Sequence, residues 1–317
     1  MIIRKKMWRR FFFLAVTGFI LINIIAAFHA WKFTHFNTAS AHKTADPGKL
    51  STGQKLKTLF FGISHPRPEN KQQPAFPFEV VSLQSNKKIE CWYIKTDTPA
   101  YGTVILFHGY GGDKSSMLDK AGVFLKLGYH VLLADFMGSG GSEGNQTTIG
   151  YKEAEQVKTC YDYVSSAGEQ NIYFFGTSMG AVAIMKAMKD YPLEPKGLIL
   201  ECPFGTLYQT VKSRFRSMRV PAFPMAGLLV FWGGTLNGFR AFDHKPVVYA
   251  CHITSPVLLL YGGKDEKVSR EETDNIFRNL QGPKQLKVYE DAGHENYLLR
   301  YKEQWSGDVQ LFLKELR

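Results

Sequence analysis

From residue 76 onward, short apolar runs alternate with stretches that carry apolar residues at helical spacing. The first two runs, 78–83 and 89–94, alternate apolar and polar positions and meet at the turn-forming Ser85-Asn86, which predicts an antiparallel pair of strands. The later predicted strands are 103–107, 129–134, 172–175, 198–200, 257–261 and 286–289, and the predicted helices are 117–127, 151–164, 179–189, 271–280 and 297–316. This alternation predicts an α/β fold, in which helices cover both faces of a mostly parallel sheet.

One segment interrupts the alternation of strands and helices. Residues 203–255 separate two predicted strands and are too many for a simple crossover, so we expect an inserted cap. Its first half is basic, and its apolar stretch is 225–232; the bases are Lys212, Arg214, Arg216 and Arg219. Such a cap either meets a membrane surface or an acyl chain, or packs its apolar stretch on the rest of the domain.

The N-terminal region has the pattern of a membrane-spanning helix. Residues 11–28 are eighteen residues without a charge, and a helix of that length spans roughly 27 Å, close to the thickness of a hydrocarbon core. Trp8 and Trp31 flank the run; five bases precede it and only Lys32 follows closely. The positive-inside bias predicts a cytoplasmic N-terminus and an extracytoplasmic α/β domain.

Two other interpretations of this run remain open. A secretory signal would be cleaved after small residues, and Ala39-Ser40-Ala41 offers such a site, although it comes late. A buried helix of a soluble fold is disfavoured, because apolar residues occupy every face of the run. We therefore divide the chain into an anchor with its basic flank at 1–36, a tether at 37–75 and the α/β domain at 76–317, with the cap at about 203–255.

The charge of the chain is concentrated near the N-terminus. The net charge is +11, but residues 1–60 hold ten Lys/Arg and one acid, which leaves 29 bases and 27 acids for the remainder. The α/β domain is therefore nearly neutral. This balance excludes a general nucleic-acid-binding surface, and we expect no nucleic-acid partner.

No spacing in the sequence is typical of a metal or cofactor site. The four cysteines (Cys91, Cys160, Cys202 and Cys251) have no metal-ligand spacing. We interpret them as buried apolar residues, with two disulfides as the alternative in an oxidising compartment. Residues 111–115 lack the glycine that a phosphate loop needs before its lysine, residues 138–144 miss the dinucleotide spacing, and His294-Glu295 lacks a second histidine. We therefore expect neither a metal nor an organic cofactor.

The pattern G-x-S-x-G occurs twice, around Ser142 and around Ser178. Ser178 directly follows the apolar strand 172–175 and directly precedes an apolar helix. A sharp turn between strand and helix exposes a serine oxygen beside the N–H groups of the helix start, which is the geometry of a nucleophile. Ser142 lies further from its strand, and no apolar helix follows it, so Ser178 is the predicted nucleophile and Ser142 a residue of a pocket loop.

A serine nucleophile needs a base that a carboxylate orients, and the chain order after such a turn is serine, acid, histidine. His294 follows the last predicted strand, whereas His244 and His252 belong to the cap and its exit. Asp265 follows the strand at 257–261, and Glu201 at the end of the preceding strand is the alternative acid. We predict His294 as the base and Asp265 as its partner.

A second amide should face the pocket from the loop after the first parallel strand. That loop reads His108-Gly109-Tyr110-Gly111-Gly112. Its glycines permit a tight turn, so we predict the N–H of Tyr110 as an oxyanion donor beside that of Met179.

Four of these motifs, taken in chain order, together resemble the α/β-hydrolase superfamily, over about residues 77–317. They are the His108-Gly109 loop, the turn at 176–180, residues 262–265 and Gly293-His294. The stretch 135–144, DFMGSGGSEG, resembles the D-x-R-G-x-G-x-S-x-G loop of the monoacylglycerol-lipase and serine-aminopeptidase-like branch, except that methionine occupies position 137 where arginine is common.

The resemblance implies hydrolysis of esters or amides through an acyl-enzyme, with no metal or organic cofactor. Combined with the predicted anchor and the apolar cap, it leads us to expect a membrane-bound serine hydrolase that acts on lipid-like esters. A peptidase or amidase with the same triad and a non-catalytic binding protein on the same fold are the alternatives.

Overall fold

The structure is a computed structural model, and it describes residues 2–38, 43–44, 50–97 and 99–317. Eight strands form one sheet in the order β1-β2-β4-β3-β5-β6-β7-β8. The strands are β1 (Phe78–Gln84), β2 (Lys88–Ile94), β3 (Thr103–Phe107), β4 (His130–Ala134), β5 (Ile172–Thr177), β6 (Gly197–Glu201), β7 (Val257–Gly262) and β8 (Lys284–Tyr289). Strand β2 pairs antiparallel with β1 and β4, and every other pair is parallel, which confirms the predicted fold class.

The central strands are apolar along their whole length because helices cover both faces of the sheet. In β3, Val104 and Leu106 join one core cluster, while Ile105 and Phe107 join the other. This period of two assigns successive side chains to opposite faces. Each face thus has its own buried core, and the carboxyl ends of the parallel strands meet at one edge of the sheet.

The helices are α1 (Ile2–Thr34), α2 (Thr52–Phe61), α3 (Leu118–Lys126), α4 (Glu153–Ser166), α5 (Met179–Asp190), α6 (Leu207–Met218), α7 (Met225–Asn237), α8 (Pro246–Tyr249), α9 (Arg270–Asn279), α10 (Tyr297–Arg300) and α11 (Lys302–Glu315). The predicted cap segment contains α6, α7 and α8. The single predicted helix at 297–316 is wrong in one respect, because Tyr301 leaves the helical conformation and separates α10 from α11.

Helix α1 is long and apolar enough to cross a membrane, by length and composition. From Lys5 to Leu21 its described side chains are exposed, whereas Ala26, Ala30 and Thr34 are buried. Its end contacts the α/β body directly, since the Thr34 carbonyl accepts from the Thr147 N–H at 2.9 Å. Helix α1 therefore reaches the body without an intervening linker.

The cap helix α7 lies alongside α1. The Trp232 indole N–H donates to Asn23 Oδ1 at 3.1 Å, and Asn237 Nδ2 donates to Thr34 Oγ1 at 3.1 Å. Both contacts advance in the same direction along the two helices. Helices α1 and α7 therefore run in the same sense.

The segment that we interpreted as a tether contains helix α2, which begins at a capping box formed by Ser51 and Gln54. Its later part lies on the body, where the Gly140 N–H donates to the Pro68 carbonyl at 2.9 Å. The Ala39-Ser40-Ala41 cleavage site of the signal-peptide alternative lies outside the described residues. The division at residues 36 and 75 stays a prediction.

Candidate active site

Ser178 lies at the sharp turn between β5 and α5. Its backbone has φ 51° and ψ −109°, in a region that non-glycine residues rarely occupy. The turn is held from the neighbouring strand, because the Ser178 N–H donates to the Glu201 carbonyl at 2.7 Å. A strained backbone at a strand end is typical of a functional site.

The two glycines of the turn allow close approach of backbone segments. A Cβ atom on Gly176 would lie 2.6 Å from the Ala181 nitrogen, and one on Gly180 would lie 2.3 Å from the Phe107 carbonyl oxygen. Neither position accommodates a methyl group without displacement of the backbone. The spacing of the motif is therefore a packing requirement at both glycines.

Three predicted residues meet at this edge of the sheet. His294 Nε2 lies 3.1 Å from Ser178 Oγ, and His294 Nδ1 lies 2.7 Å from Asp265 Oδ2. The other carboxylate oxygen of Asp265 accepts the N–H groups of Lys267 at 2.7 Å and Val268 at 2.9 Å. Asp265 is thereby fixed in orientation, and it fixes the imidazole in turn.

The surroundings of His294 favour its protonated form. Burial by itself lowers the pKa of His294, but the neighbouring Cys202 and Asp265 raise it more, to about 10. Cys202 directly follows β6, is 1% exposed and has a positive φ of 44°. Our sequence reasoning missed this residue, although its position at a strand end was a usable signal.

The loop predicted to supply an oxyanion donor lies against the serine. A Cβ atom on Gly109 would lie 3.7 Å from Ser178 Cβ, so Tyr110 is next to a residue in contact with Ser178. Met179 is the first residue of α5, and its N–H is among those that a helix leaves unpaired. Both predicted amides therefore belong to segments that border Ser178.

His108 fixes the conformation of this loop. Its Nε2 accepts the Phe136 N–H at 3.0 Å, and its Nδ1 lies 2.8 Å from the Gly109 carbonyl. Because Nε2 accepts, the neutral ring carries its proton on Nδ1 and donates it to that carbonyl. His108 is fully buried and ties the loop after β3 to the loop after β4.

The other candidates have different contacts. Ser142 is 3% exposed, and its hydroxyl donates to the Asp135 carbonyl at 2.7 Å and accepts the Glu90 N–H at 2.9 Å. The carboxylate of Glu201 accepts from Thr177 Oγ1 at 2.8 Å and from the Trp305 indole at 3.1 Å.

The two cap histidines also lie apart from the serine. His244 is buried between the Tyr249 hydroxyl and the Ile149 carbonyl, and burial lowers its pKa to about 4. His252 is exposed.

The loop at 135–144 receives an arginine from elsewhere in the chain. Met137 is 2% exposed, and Arg67 contacts the loop, donating to the carbonyls of Gly140 at 2.8 Å, Ser142 at 2.5 Å and Gly144 at 3.2 Å. A guanidinium group is thus present at this loop, although the arginine common at position 137 is not. No local pattern around Arg67 indicated this contact.

Beneath the loop lies a buried ion cluster. Lys114 and Asp135 are both fully buried, with Nζ 2.5 Å from Oδ2, and Lys114 Nζ also lies 2.7 Å from Glu90 Oε1. Burial raises the pKa of Asp135, but the Lys114 ammonium and the hydrogen bonds from Lys114 and Asn70 lower it more, so the net pKa lies below its ordinary value. The loop therefore rests on a charged pair that depends on both partners.

Among the described residues, Cys202, Asp265 and His294 offer donor atoms within 4.8 Å of one another. Sulfur, nitrogen and oxygen donors of this kind suit Zn²⁺. A metal bound to all three would, however, bind His294 and Asp265, which already lie 2.7 Å from each other. The expectation of a metal-free site stays a prediction.

Comparisons with known proteins agree with this fold. Residues 98–231 match the family model described as serine aminopeptidase, S33. The structure is similar to that of the esterase PF2001 of Pyrococcus furiosus, with a TM-score of 0.67 and 25% identity, covering 79% of this chain and 96% of that one. The chain therefore has the α/β-hydrolase fold.

Two relatives extend the comparison. It is 27% identical over 224 residues to the protein YqkD of Bacillus subtilis, covering 69% of this chain and 73% of that protein. It is 29% identical over 185 residues to the lysophosphatidylserine lipase ABHD12 of Danio rerio, covering 56% of this chain. The match spans 47%, about half, of that relative.

Proposed function

We propose that this α/β-hydrolase is a membrane-anchored serine esterase that cleaves carboxylic esters with an apolar acyl chain. The observation that carries the proposal is the hydrogen-bonded series from Ser178 Oγ through His294 to Asp265, with distances of 3.1 and 2.7 Å. Serine, imidazole and carboxylate in this order form an activated nucleophile. Ser178 is the nucleophile, His294 the base and Asp265 its orienting partner.

The reaction follows from these contacts. His294 Nε2 takes the proton of Ser178 Oγ as that oxygen attacks the acyl carbonyl carbon. The N–H groups of Tyr110 and Met179 hold the negative oxygen of the tetrahedral intermediate. His294 then gives its proton to the leaving alcohol, and the acyl group stays on Ser178. Water, activated by His294, attacks the acyl-enzyme and releases the acid.

Three features support a lipid-like ester as the substrate. Helix α1 would hold the enzyme at a membrane, and the cap contains the apolar helix α7. The relative from Danio rerio is named a lysophosphatidylserine lipase, and the Pyrococcus furiosus protein is named an esterase.

The proposed orientation in the membrane rests on charge. The excess of bases before the apolar run favours a cytoplasmic N-terminus.

Labelling with a fluorophosphonate probe tests the nucleophile. We expect the wild type and Ser142→Ala to be labelled and Ser178→Ala to remain unlabelled. Loss of labelling in Ser142→Ala with labelling retained in Ser178→Ala would overturn the assignment. An intact protein that the probe never labels, beside a labelled control hydrolase, would favour the non-catalytic alternative.

Topology has its own test. Cys251 is exposed, so a membrane-impermeant maleimide should label it from outside intact cells. Met7→Cys in a Cys251→Ser background should resist the same reagent until the cells are opened. The reverse result would place the domain in the cytoplasm.

Amide hydrolysis is a second candidate, because the matching family model is described as a serine aminopeptidase. The same triad serves either substrate class. Parallel assays of p-nitrophenyl acyl esters and aminoacyl p-nitroanilides separate the two. We expect ester turnover to dominate, and dominant anilide turnover would reverse our choice.

A further inference from the structure

The cap helix α7 accompanies α1 into the part of α1 that we propose to be embedded in the bilayer. Asn23 lies inside the charge-free run 11–28 and accepts a hydrogen bond from Trp232, while Asn237 bonds to Thr34 beyond the run. Because the helices run in the same sense, the N-terminal half of α7 lies on the membrane side of its C-terminal half. Trp232 therefore lies at about the same depth in the bilayer as Asn23.

Helix α6 runs from the end of α1 toward the membrane, and α7 runs in the opposite direction, back toward the α/β domain. Arg214 of α6 lies over the ring of Phe33 at 4.5 Å, near the end of α1, and α6 then continues to Met218 before α7 starts at Met225. The turn at 219–224 is consequently the tip of a helical hairpin that points along α1 toward the membrane.

The hairpin tip is apolar and exposed, and α7 is apolar and partly exposed. The twenty residues between Arg219 and Arg240 contain no charge. Phe223 in the tip is 87% exposed and Phe231 of α7 is 50% exposed, so α7 is not a fully buried core helix. With thirteen residues, it is about 20 Å long at the standard helical rise, too short to span a bilayer. A partly exposed apolar helix of this length is typical of an element seated in one leaflet.

Helix α2 also carries exposed aromatic residues near the membrane boundary that α1 defines. Helix α2 ends at Phe60 and Phe61, each 68% exposed. A Cβ atom on the next residue, Gly62, would lie 2.9 Å from the Lys32 side chain and 3.3 Å from that of Phe28. The exposed aromatic residues of α2 therefore lie where the charge-free run of α1 ends.

We propose that the α6–α7 hairpin is a second membrane-binding element, which inserts its tip and the N-terminal half of α7 into the leaflet on the side of the α/β domain. The occupants of its exposed face are the acyl chains of that leaflet, and the long side chains of Arg216 and Arg219, at the end of α6, reach back to the phosphate groups. The proposal rests on the proposed function of α1 as an anchor. It means that the cap stands in the lipid from which an acyl ester would be drawn.

Spin labels on the full-length protein in vesicles of phosphatidylcholine with a minor share of phosphatidylglycerol test this insertion. In a Cys251→Ser background, labels are placed through Phe223→Cys, Phe231→Cys, Phe19→Cys for the anchor, and Leu299→Cys as a control that is 76% exposed. Collision with oxygen reports lipid, and collision with a water-soluble nickel chelate reports water.

We expect the labels at 19, 223 and 231 to favour oxygen and the label at 299 to favour nickel. Labels at 223 and 231 that favour nickel, with 19 still in lipid, would overturn the hairpin proposal alone. A label at 19 that favours nickel would overturn the anchor and the hairpin together. Phe223→Asp should also lower turnover of vesicle-borne esters about tenfold and leave soluble short-chain esters unaffected, with Phe242→Asp as the matched cap control. Equal turnover of both ester types by Phe223→Asp and wild type would count against the insertion.

A different set of contacts joins the end of α1 to the predicted oxyanion loop. The Tyr110 hydroxyl donates to the Phe33 carbonyl at 2.7 Å, and the two rings are stacked at 4.9 Å with an angle of 9°. The ring of His65 lies edge-on to Tyr110 at 5.1 Å, and the Arg214 guanidinium lies over Phe33. The side chain of Tyr110 is thus held by the last turn of α1, while the preceding residue, Gly109, lies beside Ser178.

We infer that α1 positions the oxyanion loop, so that Tyr110 is a positioning residue through its side chain as well as a donor through its backbone. This inference rests on the proposed role of the Tyr110 amide. The change Tyr110→Phe removes only the hydroxyl bond to Phe33 and keeps the stacked ring. Loss of one such bond should lower kcat about three- to tenfold, because the amide is less well held where charge develops.

The test compares Tyr110→Phe with Tyr101→Phe, which alters an exposed tyrosine far from the loop. We expect Tyr110→Phe to lower kcat and the affinity for an arylboronic acid by the same factor, with KM unchanged. A lower Tm with kcat within twofold of wild type would leave a purely structural role and overturn the inference, as would a change confined to KM. Wild type that the fluorophosphonate probe fails to label would instead refute the proposed function.

Discussion

Replacement of Asp265 by asparagine tests the proposed triad most directly, since it changes one oxygen to an NH2 group at nearly constant shape. The carboxylate accepts two backbone N–H groups, from Lys267 and Val268, on Oδ1 and the imidazole of His294 on Oδ2. An asparagine has only one oxygen to offer. If that oxygen faces the two backbone donors, the NH2 group faces His294 Nδ1. Nδ1 must then accept a hydrogen bond from the NH2 group, so the ring proton lies on Nε2. An Nε2–H cannot take the proton of Ser178.

The backbone contacts set the size of the effect. Turning the amide around to restore the active tautomer would leave two backbone N–H groups facing an NH2 group, at a cost of about 1–3 kcal/mol each. The inactive tautomer is therefore favoured by about 2–6 kcal/mol. At tenfold in rate for about 1.4 kcal/mol, kcat should fall by about thirtyfold to about 10⁴-fold.

The assay is kcat and KM on a p-nitrophenyl ester, with Tm measured in parallel. The matched control is Asp291→Asn, which changes a carboxylate that is 63% exposed and paired with Lys264. We expect the control to stay within twofold of wild type, and Asp265→Asn to lose kcat with KM and Tm nearly unchanged. A fully folded Asp265→Asn protein with kcat within threefold of wild type would refute the assignment of Asp265.

Three further predictions concern the surroundings of the site. Arg67→Ala should lower the free energy of unfolding by about 2–4 kcal/mol, because three hydrogen bonds from a charged donor are lost from a half-buried position. Urea denaturation measures this free energy, and an unchanged midpoint of unfolding would contradict the prediction. Asp135→Asn removes the buried one of the two carboxylates that contact Lys114, leaves only Glu90 as its partner, and should cost up to about 3–5 kcal/mol at neutral pH. Because the pKa of Asp135 is lowered on folding, its stabilisation is present above its ordinary value and is lost as pH falls through the lowered one, so the difference between variant and wild type in urea should shrink in acid. The raised pKa of His294 predicts that kcat/KM rises with pH through a midpoint above 6.5. We expect Cys202→Ala to move this midpoint to lower pH. A midpoint that stays in place would exclude an effect of the thiol on the pKa of His294.

The parts of the fold that the sequence predicted are those set by local pattern. The predicted strand at 103–107 coincides with β3, because both of its faces are buried and every residue in it is apolar or small. The turn around Ser178 was distinguishable from the one around Ser142 because a strand precedes it and a helix follows it directly. Strand-end positions likewise placed Asp265 and His294 at one edge of the sheet, where the structure brings their side chains together.

Contacts between distant segments were not predictable in this way. Arg67 lies more than seventy residues from the carbonyl groups that it binds, and nothing local to it differs from an ordinary surface arginine. His108 was assigned only to a loop motif, and its role as a neutral bridge depends on Phe136, which lies 28 residues further along the chain. The pairing of α7 with α1 is of the same kind, since hydropathy gives the apolar character of both helices and not their contact.

The contact of Arg67 with the loop bears on how the enzyme can be shortened. A fragment that begins at residue 76, where the strand pattern starts, would contain Ser178, Asp265 and His294. It would lack Arg67, the Pro68 carbonyl that accepts from Gly140, and the Asn70 amide that donates to Asp135 at 2.9 Å. We expect such a fragment to be poorly soluble or inactive, and we expect the smallest self-sufficient unit to begin upstream of Arg67.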